Sequence, residues 1–531
     1  MSPASISMSK TTPASGKSAK SMNALCSEED VSPFTKPGKV TPLQQVVSFP
    51  AMLGGLLVVA VFLARHNFEV DPDLWWHLKV GENILSTHRW PTTDPYSFTA
   101  AGQPWLAYEW LGDVFFAAVA RIAGLEGLQA LLIILGAVIM LSLYGYATLR
   151  SRNSKAGFVV AALVLILAAL NFNLRPQMLG YLFLIITLIV LERFRQGKSA
   201  ALWFLPPLFM IWINTHGSWE IGLGTLLVYW LCGLKEIDLG DIELHAWTRA
   251  ERVRLSLVFL FCLLAISITP YGTRLAAYPF QVASSLPLNM TQIDEWQPMP
   301  MSSFGPRLFL ALVLGTIALQ IVFRFKWRVE DVVLFCGATA LALVHRRFVL
   351  IFVPFFVPVF ATMLARWVPG YQREKDPYVL NAALMAVMLG AMIHYFPSRS
   401  EIQDNVNAHF PVNAVKYLRE HPASGAMFNS YGFGGYLVYS RGDEHKVFID
   451  GRGELYEHAG VFADYIHITL VKPGLLGVLR NYGIKECLVG RDDPIAVFLA
   501  ALPEWKQVYT DPVSVIFVRS DNPRADSALA R

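Results

Sequence analysis

Long apolar runs broken by short polar stretches recur along the chain from residue 46 to residue 395. An α-helix rises 1.5 Å per residue, so about 20 apolar residues cross the ~30 Å hydrocarbon core of a bilayer. On that measure about eleven spans are expected. They fall over 46–64, 125–148, 156–172, 178–192, 200–214, 219–234, 255–270, 308–323, 331–345, 348–365 and 378–395, several of them short for a full crossing. Residues 1–45 are rich in Ser, Thr, Lys and Pro and predict a disordered cytoplasmic tail. After residue 396 the long runs stop. Strands are expected at Ala426–Asn429, Val447–Asp450, near Ile484–Val489, and as a pair near Val508–Tyr509 and Val513–Arg519, with a glycine-rich turn over Tyr431–Tyr436. The predicted fold class is a polytopic α-helical membrane bundle over 46–396, with a C-terminal soluble α/β domain over 397–531.

Charge in the connecting segments orients this bundle. Alternate loops are basic: Arg150, Arg152 and Lys155; Arg193, Arg195 and Lys198; Lys235, Arg249, Arg252 and Arg254; Arg324, Lys326 and Arg328; Arg366, Arg373 and Lys375. Basic loops stay in the cytoplasm, which puts the N-terminus inside and, with an odd span count, the C-terminal domain outside. The alternation requires that Trp105–Ala123 not be a span. It carries Glu109, Asp113 and Arg121 with the aromatics Trp105, Tyr108 and Trp110, and is expected to lie along the membrane surface.

Composition narrows the function classes. Of 531 residues, 54% are hydrophobic and 16% charged, and the mean hydropathy is +0.42. The net charge of +4 and the lack of a basic, aromatic-interleaved stripe argue against nucleic acid as partner. Cys26, Cys232, Cys262, Cys336 and Cys487 are scattered, a spacing that supports neither a zinc site nor a disulfide framework.

Candidate chemistry collects on the predicted outer side. The first outer loop, 66–124, holds Asp71, Asp73, His77, Glu82, Asp94 and Glu109 among many aromatics, and places Asp73, Trp76 and His77 at helical spacing. Other outer span ends carry Arg175, Asn214 and His216, Tyr271 and Arg274, Asp294 and Glu295, and the pair Arg346 and Arg347. Ionisable groups beside a bilayer usually mark function, and arginine suits phosphate because its planar fork donates two hydrogen bonds at once. Solvated loop acids and arginines snorkelling to lipid headgroups are the competing reading. Asp71 and Asp73 also have a spacing that could hold Mg²⁺ or Mn²⁺ through oxygen ligands.

The stretch DPDLWWHL, Asp71–Leu78, just after the first span resembles the first outer loop of the GT-C glycosyltransferases, multi-span enzymes with lipid-linked sugar donors. Oligosaccharyltransferase catalytic subunits carry a DPWFNYR-like motif there; protein mannosyltransferases and aminoarabinose transferases carry an Asp-Glu pair. This chain has Leu74 where the pair has Glu, and Gly102-Gln103-Pro104-Trp105 where the aminoarabinose transferases have a Glu-Lys-Pro-Pro-like element. Taken whole, the chain is similar to bacterial membrane proteins with DPDxWWHL near the start and GGYL…FIDGR near the end. The resemblance implies a GT-C-like bundle in the bacterial inner membrane that transfers a sugar, with inversion, from a polyprenyl-phosphate-linked donor to a glycan, lipid or protein acceptor. It implies Asp73 as base or metal ligand, with Asp71 and Glu109 as further catalytic candidates. His77, Trp76, Asp94, Arg175, His216, Arg346 and Arg347 are then candidates for substrate binding. Asp450 and Arg452 could bind acceptor glycan or, as favoured here, pair with each other. Two other readings remain open. A lipid-linked sugar flippase would show internal repeats and polar groups near the midplane; a non-catalytic component of envelope polysaccharide assembly would keep the scaffold and fail an acceptor-labelling assay.

Overall fold

The computed structural model describes residues 41–67, 71–169, 171–238, 240–285, 287–422, 425–442 and 445–520. Of the predicted disordered tail, 1–45, residues 1–40 and Cys26 with them lie outside the described residues, and the remainder is not irregular but enters a short helix, Pro42–Val46. From Val47 onward the described residues pack as one unit.

A helix lies at each of the eleven apolar segments, and the segment at 200–214 is built from a short 3-10 turn and the helix Leu205–Ile213. By length and composition, four helices suffice to cross a membrane: Trp110–Ser151, Gln177–Arg195, Phe304–Phe323 and Arg346–Leu364. A fifth qualifies if the bent pair Tyr378–His394 and Arg399–His409 counts as one span. Ile321 and Val322, and Val387 and Ile393, lie exposed on these helices, as do Leu260, Phe261 and Leu264 on the helix Arg249–Ala265. Apolar patches of that extent face lipid rather than water. The chain is a multi-pass membrane protein.

The segment expected to lie along the membrane surface starts later than predicted, at Trp110, and runs on into the next span as one helix to Ser151. The break between the two parts is Gly124, at φ 63° and ψ −156° inside that helix, a backbone state open only to glycine. The predicted inner basic clusters are also partly spoken for. Arg150 and Arg328 both bind Glu192, at 3.1 and 2.7 Å; Arg150 further pairs with Asp331, and Arg195 with Glu330. These pairs tie helix ends together.

The last 120 or so residues add a four-stranded sheet. Its strands follow three short ones, β1 (Ile237–Asp238), β2 (Ile242–Leu244) and β3 (Trp327–Arg328). They are β4 (Ala426–Asn429), β5 (Ile484–Gly490), β6 (Trp505–Thr510) and β7 (Ser514–Arg519), in the order β4-β5-β7-β6. The β4–β5 pair is parallel and the others antiparallel, with Cys487 opposite Phe428 on one side and Phe517 on the other. Two expectations fail here. Val447–Asp450 is no strand, Val447 making only an isolated bridge to Ser97 in the first loop. The glycine-rich stretch is not a turn but the start of a helix, Tyr431–Arg441.

That helix explains its own glycines. It lies against the first-loop helix, Pro72–Thr87, so closely that a Cβ on Gly435 would sit 2.5 Å from the Pro72 carbonyl oxygen. Trp75 fills the remaining gap, with its ring 5.4 Å from Phe410, 5.1 Å from Tyr436 and 5.2 Å from Tyr439. The C-terminal α/β layer and the first loop therefore share one apolar core.

Candidate functional site

The sequence Asp71-Pro72-Asp73 is a helix start. Asp71 is the N-cap and accepts the Asp73 N–H at 2.9 Å, and Pro72 stands at the first helical position, where a missing N–H costs nothing. Asp73 thus sits in the first turn, where the helix N-terminus favours a carboxylate. One turn on, Trp76 and His77 fall on the same face, their rings 3.6 Å apart.

This face opens on a cavity of about 520 Å³. Asp73, Trp76, His77, Glu109, Arg175, His216 and Arg347 all line it, brought together from five separate segments of the chain. The structure thus brings these seven first-loop and distant residues to one cavity.

Arg175 sits at one side of the cavity. Its Nε donates to Asp71 Oδ2 at 2.7 Å and its Nη1 to Glu295 Oε1 at 2.9 Å, while Nη2 lies 3.0 Å from Asp73 Oδ2. Expected as a phosphate ligand, it is already bound to three carboxylates. The same contacts decide the metal question. The residues do not fit a divalent cation, because a guanidinium stands where the ion would be; among the described residues no group of His, Cys, Asp or Glu side chains is arranged to hold one. Burial is the main influence on Asp73 and pushes its pKa up to about 7; Arg175 opposes that shift, and Asp71 and Glu295 add to it.

A second group surrounds Glu109. His77 Nδ1 lies 2.6 Å from Asp113 Oδ1, which fixes the ring and turns Nε2 toward Glu109 Oε2, 3.7 Å away. On the other side, His216 Nδ1 accepts the Ser218 N–H at 3.1 Å, so Nε2 carries the proton and points at Glu109 Oε1, 3.4 Å away. Burial lowers both imidazoles, His216 to about 3, with Arg347 adding to it, and His77 further depressed by Arg175 and His216. Burial, and then Glu454, raises Glu109 to about 8 against the pull of Arg175 and Arg347. Near neutral pH this side is uncharged yet rich in hydrogen-bonding groups.

Arg347 stands apart from both. Its guanidinium lies over the Trp296 ring at 4.1 Å, and among the described residues no carboxylate is paired with it. Such stacking fixes a cation without neutralising it. Its neighbour Arg346 does not line the cavity and pairs weakly with exposed Asp294, at 3.9 Å. Asp94 is also outside the cavity, fully buried 2.8 Å from Arg452 Nη1. These two do not reach the position expected of substrate ligands.

The C-terminal layer supplies one wall, through Tyr431, Gly451, Gly453 and Glu454. A side chain at Gly451 would overlap Asp73 Oδ1 and press on Trp76 Nε1, so only glycine admits this approach. Arg452 holds the loop in place. It grips Asp450 through Nε and Nη2 at 2.8 and 2.6 Å, under the rings of Tyr96 and Trp105. Asp450 and Arg452 thus pair with each other rather than facing a ligand. The reading from residues missed Asp113, Tyr278, Tyr431 and Glu454. Asp113 and Tyr431 stood in stretches already singled out, beside Glu109 and at the start of the glycine-rich stretch, but neither carried a site signal of its own.

No protein-family model and no curated protein matches the sequence. Solved structures do. The archaeal oligosaccharyltransferase AglB from Archaeoglobus fulgidus aligns with TM-score 0.53 at 10% identity, over 84% of this chain and 69% of its own. The same Archaeoglobus fulgidus enzyme tethered to an acceptor peptide aligns at 0.51 and 11% identity, with the same coverage. ArnT from Cupriavidus metallidurans in the apo state aligns at 0.50 and 13% identity, over 90% of this chain and 98% of its own. Both proteins are GT-C glycosyltransferases, and this chain shares their fold, as its first-loop resemblance implied.

Proposed function

We propose that this chain is a membrane glycosyltransferase that moves a sugar from a polyprenyl-phosphate-linked donor to an acceptor on the extracytoplasmic side. The observation that carries the reading is Arg347, stacked on Trp296 and paired with no carboxylate among the described residues, lining the same cavity as Asp73. A donor's phosphate would meet Arg347, and its sugar hydroxyls the uncharged group around Glu109. The acceptor hydroxyl attacks the anomeric carbon from the side opposite the phosphate. As the new C–O bond forms, the bond to the phosphate oxygen breaks and the polyprenyl phosphate leaves with the electron pair, its growing charge met by Arg347. Asp73 takes the acceptor's proton as general base. Attack from the opposite face inverts the anomeric centre. The fold neighbour AglB was solved with an inhibitory peptide and a dolichol-phosphate, which supports a lipid-phosphate donor for this cavity.

The proposal carries the eleven-span topology with it: N-terminal tail 1–45 in the cytoplasm of a bacterium, bundle 46–396 in the plasma membrane, and residues 397–531 outside. The acceptor is a glycan, lipid or protein. The test is an acceptor-labelling assay with purified protein and radiolabelled polyprenyl-phosphate sugars. Arg347→Ala should lower transfer about 10²-fold or more, chiefly through weaker stabilisation of the leaving phosphate. Wild-type transfer by that variant would remove the reading.

A further inference from the structure

Three carboxylates from two distant segments converge on one cation, and that cation is a side chain. Asp71 caps the first-loop helix, Asp73 lies in its first turn, and Glu295 sits in the turn Asp294–Trp296. Acidic oxygens in this number are what a hard divalent ion takes, at about 2.0–2.6 Å. Here each meets a different nitrogen of Arg175 instead, at 2.7, 3.0 and 2.9 Å. All three nitrogens of the guanidinium are thereby used, and its charge is permanent because arginine does not lose its proton in proteins.

The backbone holds Arg175 in this position. Its N–H donates to the Asn173 carbonyl at 2.7 Å, and the next residue, Pro176, packs so tightly on the helix Trp110–Ser151 that a Cβ at Gly112 would come within 2.8 Å of it. The wedged main chain fixes the root of the side chain, and the three carboxylates hold its guanidinium at the far end. We propose that Arg175 takes the place of a divalent cation: a built-in charge that fixes the Asp73 carboxylate, in a centre that binds no metal of its own. Arg175 is then a positioning residue, acting through Asp73. The proposal concerns the charge balance of the centre and stands or falls independently of sugar transfer.

Mn²⁺ is the probe, read by the loss of its free-ion resonance on titration into the detergent-solubilised full chain. The wild type should leave the signal undiminished, and its melting temperature should be the same in EDTA and in Mn²⁺. Arg175→Met frees three carboxylates and should acquire a Mn²⁺ site, binding about tenfold or more tighter than the wild type. Arg175→Lys keeps a cation and should acquire none, and Arg175→Met combined with Asp73→Asn should lose the acquired site. A purely structural arginine would not produce this pattern. A stoichiometric Mn²⁺ site in the wild type that Asp73→Asn removes overturns the proposal, and so does a folded Arg175→Met that gains no site. If the methionine variant does not fold, the wild-type titration and its melting temperatures decide alone.

Discussion

Arg452 and Arg175 each gather carboxylates, and their surroundings give them opposite uses. Arg452 lies with Asp94 and Asp450 at zero side-chain exposure, roofed by Tyr96 and Trp105. Arg175 binds Asp71, Asp73 and Glu295 with a fifth of its side chain open to the cavity. In the first centre one positive charge faces two negative ones behind closed walls, and every group is committed to holding the Asp450–Glu454 loop. In the second, one charge faces three, on a cavity wall, and Asp73 is left with a proton affinity near neutral. The same ion-pair chemistry thus serves as a staple where it is sealed and as a poised acid–base group where it is open.

The largest effects should separate the two centres by what they damage. Asp73→Asn is expected to lower transfer about 10²–10⁴-fold, with membrane insertion and melting temperature near those of the wild type; full activity would take Asp73 out of the base role. Arg452→Met strands two buried carboxylates. A loss of about 3–5 kcal/mol is expected, seen as a lower melting temperature and as protease cleavage within the C-terminal layer. An unchanged melting curve would mean that the staple is not holding that layer.

Gly451→Ala probes the point where the two centres touch. The added methyl must push either Asp73 or the Arg452 loop, so a cost of about 1–3 kcal/mol is expected from overpacking, together with reduced transfer. Loss of stability with normal transfer would show that the loop yields and the carboxylate does not.

The pH dependence is the finest distinction. A base must be ionised, and burial has raised Asp73 to about 7, so transfer should fall as pH drops below about 7. Stability runs the other way. The folded pKa is above the ordinary value of 3.8, so the folded state holds this proton more tightly. Its stabilising contribution is complete at acidic pH and declines as pH rises from about 4 through 7. A rate profile flat between pH 5 and 8 would separate Asp73 from the proton transfer.

Much of the helical layout was legible in the chain. Each of the eleven apolar runs became a helix because apolar length is a local property that no partner has to supply. The helical spacing of Asp73, Trp76 and His77 was equally local, while the cap at Asp71 and the proline at the first helical position, also local signals, went unread. The glycine-rich stretch Tyr431–Tyr436 was misread for the opposite reason. Glycine in a sequence signals a turn or a close approach, and only the packing of Gly435 on Pro72 shows which one applies. Val447–Asp450 has strand composition, yet its neighbour is the first loop instead of the sheet edge.

The sequence by itself determined that this is a membrane bundle with polar chemistry in its first loop, because hydropathy and capping act over a few residues. Tertiary structure alone decided which charges are free. Arg175, Arg346 and Arg347 look alike in the chain; one is bound by three acids, one pairs with exposed Asp294, and one stacks on Trp296 in the cavity. A side chain's charge is fixed by its chemistry, but whether that charge is already neutralised depends on groups distant in the chain, whose approach only the fold sets.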